Sequence, residues 1–209
     1  MGLSCLTESA AAIVIDTSAA INLSASGCGA AILKALPNRA LIADVVVDEL
    51  EGGRRTGRRD SELIAELSKG GLLEIAHMNE EQERFFESLV IGGAMDTLDD
   101  GEAATIAVAL GGRAIAIVDE RKASRICAQR HPELQIGCTI DLFAHNEVQG
   151  ALGTAALCDA VFSALRHARM RVPSRYIEWV VGLIGRDRVG QCPSLPRAVR
   201  VRQSMADVR

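Results

Sequence analysis

AAIVIDTSAAINL (residues 11–23) decides the fold. A short, wholly apolar run rich in β-branched residues ends on an acid, Asp16, and apolar residues then return at helical spacing as far as AAILKAL, with a break near Gly27 and Gly29. That is a buried strand feeding a helix. The same grammar returns at AIAIVD (residues 114–119), which ends on Asp119 and leads into ERKASRICAQR. Between them RALIADVV (residues 39–46) is a second apolar run leading into a short helix around VDELEGG, stopped by Gly52 and Gly53. DSELIAELSKGG starts at a good N-cap, Asp60, and hands over to the strand-like LLEIAHM. EEQERFFESLVIGG and DDGEAATIAVALGG read as amphipathic helices closed by glycine pairs, and LQIGCT as a strand before the helix IDLFAHNEVQG. Strands alternating with helices predict a parallel sheet covered on both faces, an α/β domain over residues 1–150.

From residue 151 the pattern is purely helical, through TAALCDAVFSALRHARM and SRYIEWVVGLIG, so residues 151–209 read as a helical, Arg-rich extension. Its last stretch, from Arg186 on, has little periodicity and is expected to be loosely ordered.

The chain has 209 residues, 48% hydrophobic and 24% charged, which is enough for one sizeable core and too apolar for a disordered chain. No apolar run in the sequence approaches the length of a membrane span, and the first 16 residues lack the basic start of a secretory signal. The six cysteines (Cys5, Cys28, Cys127, Cys138, Cys158, Cys192) are scattered without metal-site spacing, so they are expected to be reduced in a cytoplasmic protein. The net charge of −4 hides an asymmetry. Residues 1–149 carry 13 Lys and Arg against 23 Asp and Glu, whereas residues 150–209 carry 10 Arg against 4 acids. Such a chain can hold a divalent cation in its acidic body and meet a polyanion through its basic tail; a solvated tail that offsets the body's charge is the plainer alternative.

In a parallel α/β sheet, functional groups gather beyond the carboxyl ends of the strands. Asp16 and Asp119 close two strands, Glu49 lies in the first turns after a third, and Glu102 opens the helix GEAATIAVAL on the face of Ile106 and Ala109. Four converging acids repel one another, so they stay ionised only around a cation. An all-oxygen set favours Mg²⁺ or Mn²⁺ over zinc, and the chemistry such a site serves is phosphodiester hydrolysis. Each acid also has a plainer role. Asp16 would cap the helix that starts at Thr17; Asp99, Asp100 and Glu102 would sit at a helix N-terminus favoured by its dipole; Asp141 would do the same in IDLF. Glu49 competes with Glu51 on the helical wheel, and Asp119 with Glu120.

At these residues the chain resembles the PIN-domain family of metal-dependent ribonucleases, which includes the VapC-type toxins of bacterial toxin–antitoxin pairs. The resemblance rests on VIDTSAAINL, VVVDELEGG, LDDGEAATIAVAL and AIVDERKASRICAQR in that order, over about residues 13–150, and is nearest to a subgroup with a GE motif. It implies a three-layer sandwich around a parallel sheet. It also implies that Asp16, Glu49, Glu102 and Asp119 are catalytic and bind Mg²⁺ or Mn²⁺, with Thr17 or Ser18 orienting the metal shell and meeting substrate. Where the third acid of many relatives is Asp this chain has Glu102, which leaves Asp99 and Asp100 as substitutes, and Glu120 could share the fourth position. Expected partners are an RNA substrate, an antitoxin protein and a second copy of the chain, the last through the apolar stretches 161–165 and 179–184. Arg54, Arg55, Arg58 and Arg59 in GGRRTGRRD, one loop beyond Glu49, are candidate phosphate contacts, as are Arg121, Lys122 and Arg125.

Other readings fit less well. A haloacid-dehalogenase-type enzyme wants an Asp where Ser18 stands, a receiver domain wants an acid pair near its first strand, and GCGAA lacks the third glycine of a dinucleotide loop. The reading from another class is a non-catalytic module with the same fold that binds RNA or protein without cutting.

Overall fold

A computed structural model describes residues 4, 6, 11–54 and 60–204. At its centre lies a five-stranded sheet, every neighbouring pair parallel, in the order β3-β2-β1-β4-β5. The strands are β1 (Ile13–Ile15), β2 (Ala40–Ala43), β3 (Glu74–Ala76), β4 (Ile115–Ile117) and β5 (Ile136–Gly137). The three side chains of β1 and the three of β4 are all buried, as strands with helices on both faces must be. Ile13 pairs with Ile115 and Ile15 with Ile117, and these β-branched residues fit the pleat while contributing roughly 1.5–3 kcal/mol each through burial.

Strand order reverses between β1 and β4, the place where open α/β sheets form a crevice at their carboxyl edge. Asp16 and Asp119 follow those two strands. Helix α1 (Thr17–Ser26) leaves β1 with Asp16 as its N-cap and ends at Gly27, whose φ of 70° favours a residue without Cβ; α2 (Gly29–Ala35) follows. Helix α3 (Asp44–Arg54) carries Glu49, and α4 (Asp60–Lys69) packs against α3. Helix α5 (Glu80–Val90) starts at a capping box between Asn79 and Gln82 and covers α6 (Asp100–Gly112). Residues 103–109 of α6 are all buried, and α6 packs on β1, β2 and β4, so its N-terminus is held rigidly at the carboxyl edge. Helix α7 (Arg121–Arg130) leaves β4, and α8 (Thr139–Phe143) leaves β5.

Two sequence expectations shift here. The run 39–46 is strand only to Ala43, because the Asp44 side chain accepts from the Val45 N–H and opens a helix in which Val45 and Val46 become the first turn. The helix expected over 140–150 is broken at His145, whose ring nitrogen accepts from the Glu147 N–H and caps a new helix, α9 (Asn146–Ser163).

Helix α9 packs on α1 and α2 and runs into a π-helical turn, Ala164–Ala168. After a 3₁₀ turn, Ser174–Tyr176, come α10 (Ile177–Ile184), α11 (Arg186–Val189) and α12 (Arg197–Ser204). The stretch expected to be loosely ordered is tied down as far as its first half: Val189, Cys192 and Leu195 are buried, and Arg188 pairs with Asp159 at 2.6 Å. The apolar stretches 161–165 and 179–184 bury Val161, Leu165, Val180 and Ile184 within the chain, since α10 packs on α9. In the same stretches Phe162, Trp179, Val181 and Leu183 are half-buried.

Residues 146–168 form the one helical span among the described residues that is long and apolar enough, by length and composition, to cross a membrane. Gly153 breaks it, with φ 69° and ψ 164°. The longer uninterrupted part, at 1.5 Å per residue, spans only about 22 Å against a hydrocarbon core of about 30 Å. The five described cysteines are unpaired.

Candidate active site

A cleft of about 380 Å³ opens at the carboxyl edge of the sheet and is lined by Asp16, Glu49, Asp99, Glu102, Asp119 and Glu120. Each arrives for a local reason. Asp16 is the last residue of the β1 run and is only 2% exposed; its side chain accepts from the Ala19 N–H at 2.6 Å and from the Ser18 hydroxyl at 2.8 and 2.9 Å. Capping a helix and facing the cleft are one placement for this residue.

Asp119, 5% exposed, accepts from the Thr139 N–H at 2.8 Å, the Thr139 hydroxyl at 2.6 Å and the Asn22 amide at 2.7 Å. Among the described residues, no Lys or Arg side chain bonds either carboxylate. Burial, with the neighbouring Asp119 charge, pushes Asp16 up to about 8. Burial also raises Asp119, against the opposing pull of its Thr139 hydrogen bonds, the Arg171 charge and the Asn22 hydrogen bond. Glu102, half-buried on the first turn of α6, is pushed up to about 7 by burial and by Asp99 and Glu120. Two nearly buried acids on adjacent strand ends, hydrogen-bonded only by neutral donors and with the Arg171 charge acting on Asp119 from nearby, form a site that favours positive charge.

Glu49 projects from α3 into the cleft, where its Oε2 accepts from the Thr17 hydroxyl at 2.6 Å. Thr17 and Ser18 thus each hold one cleft carboxylate. The structure separates the alternatives that the sequence left open. Asp99 and Glu120 line the cleft; Glu51, Asp100 and Asp141 do not. Asp141 is wholly buried elsewhere, accepting from the Cys138 N–H at 2.9 Å, from Arg175 at 3.1 Å and from the Tyr176 hydroxyl. It locks the 3₁₀ turn onto the start of α8.

Of the candidate phosphate contacts, the Arg54 side chain, Arg55, Arg58 and Arg59 lie outside the described residues. Arg121, Lys122 and Arg125 do not line the cleft, and Arg125 is spent on the Met95 carbonyl at 2.7 Å and on Gln129 at 3.2 Å. Sequence reasoning missed Asn22, although it lies inside the opening motif; a polar side chain on an otherwise apolar helix face was the available signal. It also missed Arg169 and Arg171, which reach the same cleft from the segment after α9.

The donor set is all oxygen, with no His or Cys lining the cleft, which suits a hard divalent cation. Among the described residues, no three His, Cys, Asp or Glu side chains converge tightly enough to chelate an ion by themselves. Mg²⁺ is commonly held by one or two carboxylates and several waters, a need that Asp16 and Asp119 can meet.

A family model described as PIN domain matches residues 12–186, including α9, α10 and the start of α11. No curated protein and no solved structure matches the chain.

Proposed function

The chain belongs to the PIN-domain family, a nuclease-type fold, and from that premise we propose that it is a divalent-metal-dependent ribonuclease acting in the acidic cleft. The observation that carries the reading is the pair Asp16 and Asp119: adjacent strand ends, nearly buried, with raised pKa values and no Lys or Arg side chain bonded to either carboxylate among the described residues. A pair of that kind is costly unless its pocket has a use for positive charge.

Asp16 and Asp119 would hold Mg²⁺ or Mn²⁺, with Glu49 and Glu102 completing the ring of acids. A cation held there supplies polarisation of a phosphodiester oxygen and a water of lowered pKa. The protein's own work is positional. Ser18 and the Ala19 N–H fix the Asp16 carboxylate, Asn22 and Thr139 fix that of Asp119, and Thr17 fixes Glu49. Because these donors are already bonded in the structure, little reorganisation is left for the reaction itself.

With a single Trp and a single Tyr, the latter buried, base stacking has few platforms, so the substrate is expected to be gripped by its backbone. Hydrolysis of single-stranded RNA in Mn²⁺, together with a rise in melting temperature on adding Mn²⁺ that Asp16→Asn removes, is the test. A non-catalytic RNA-binding module would bind RNA without cutting it.

A further inference from the structure

Six acids line the cleft, and they repel the polyanion that the proposed reaction needs there. Two cationic side chains also line it, Arg169 and Arg171, and both come from one strap that follows the π-helical turn. Burial along the strap alternates: Arg169 is exposed, Met170 buried, Arg171 half-buried and Val172 buried. Met170 and Val172 anchor the strap in the core, and Arg169 and Arg171 line the cleft beside Ala168 and Met170.

The two arginines differ. Arg171 is committed: one guanidinium nitrogen donates to the Asp119 carbonyl, and its Nε is buried without a hydrogen-bond partner. That clamp ties the strap to the end of β4. Arg169 caps the π-helical turn with φ 57°, a left-handed conformation that a non-glycine residue adopts at a cost, while its side chain has no hydrogen bond or ion pair among the described residues. The backbone of Arg169 closes the turn, its N–H donating to the Ala164 carbonyl, while its exposed side chain lines the acidic cleft and is left available to a ligand. π-helical turns and unfavourable backbone angles both concentrate at functional sites.

We propose that Arg169 is the substrate-gripping residue of the cleft, holding an RNA backbone phosphate against the strap while the acids opposite hold the cation. The assignment rests on the ribonuclease reading for its substrate, and gives the helical segment beyond residue 150 a part in the site. Recognition of this kind is charge-based and indifferent to sequence.

The test measures binding of a fluorescent single-stranded RNA in Ca²⁺, with the RNA checked for intactness, and cleavage of the same RNA in Mn²⁺. Arg169→Ala is expected to weaken binding about tenfold, to raise KM with kcat changed less than about threefold, and to make the salt dependence of binding shallower by about one phosphate contact. Arg169→Lys recovers most of the loss. The melting temperature of Arg169→Ala stays within about 2 °C of the parent and the Mn²⁺-induced rise persists, which separates a lost grip from a damaged fold. RNA binding by Arg169→Ala equal to that of the parent overturns the proposal and leaves the ribonuclease reading standing. A parent that binds but does not cut, with binding lost in Arg169→Ala, upholds the grip and removes the hydrolysis. A parent that neither binds nor cuts overturns both.

Discussion

The Thr17 hydroxyl reaches Glu49 Oε2 across the open face of Gly101 on α6. A Cβ at Gly101 would lie 2.7 Å from the Thr17 oxygen and nearer still to Glu49 Oε2, so the glycine of the GE motif is what lets helices α1, α3 and α6 bring their side chains to one point. Gly101→Ala is therefore expected to push Glu49 out of the cleft and lower kcat/KM at least tenfold. Helix α6 should remain folded, since Ala is the better helix former by roughly 0.5–1 kcal/mol. Circular dichroism beside the cleavage rate checks both halves, and unchanged activity would contradict the placement of Glu49.

Stability should fall with rising pH when no metal is bound. Asp16 is held near 8 and Glu102 near 7, above the 3.8 and 4.5 of free side chains, so both bind protons more tightly in the folded state. Their contribution is complete below the unfolded values and disappears as pH passes through 7 to 8, a change on the order of a few kcal/mol for Asp16. Urea melts in EDTA from about pH 5 to pH 8.5 should show the decline, Mn²⁺ should flatten it, and Asp16→Asn should remove most of it. A rise in stability over that range would show that the two carboxyls are not held as described.

Asp141 is the control acid. It is as buried as any residue in the chain, yet its partners are Cys138, Arg175 and Tyr176, and it does not line the cleft. Asp141→Asn should cost about 1–3 kcal/mol, because an amide replaces the buried carboxylate that accepts from the Cys138 N–H, the Tyr176 hydroxyl and the largely exposed Arg175, while the activity of the folded fraction stays within about twofold. Chemical denaturation and cleavage measured on the same preparation separate the two effects.

Asn22 joins α1 to the Asp119 carboxylate. Asn22→Ala should cost about 1–3 kcal/mol and lower kcat/KM roughly tenfold, because Asp119 keeps Thr139 but loses the donor on its other side. Loss of stability with activity intact would make Asn22 purely structural.

Strands β1 and β4, with Asp16 and Asp119 after them, were legible in the sequence because both are apolar, Ile-rich runs buried on both faces and closed by Asp. Period and punctuation carry that information locally. The choice between Asp99 and Asp100 was not local: it turns on which one the N-terminus of α6 aims into the cleft. Arg169 and Arg171 were invisible for a related reason. They lie about 50 residues beyond Asp119, and only the packing of α9 on α1 and α2, with the turn that ends it, returns the chain to the site. The ordering of Val189, Cys192 and Leu195 follows from tertiary contacts that no periodicity announces.

The most direct test of the cleft as a metal-dependent nuclease site is cleavage of an end-labelled single-stranded RNA by purified protein in Mn²⁺ or Mg²⁺, beside EDTA and beside Asp16→Asn. Metal-dependent cutting that both controls abolish is the predicted result. RNA left intact in every metal by a folded, inhibitor-free protein, or cutting that survives Asp16→Asn, would contradict it.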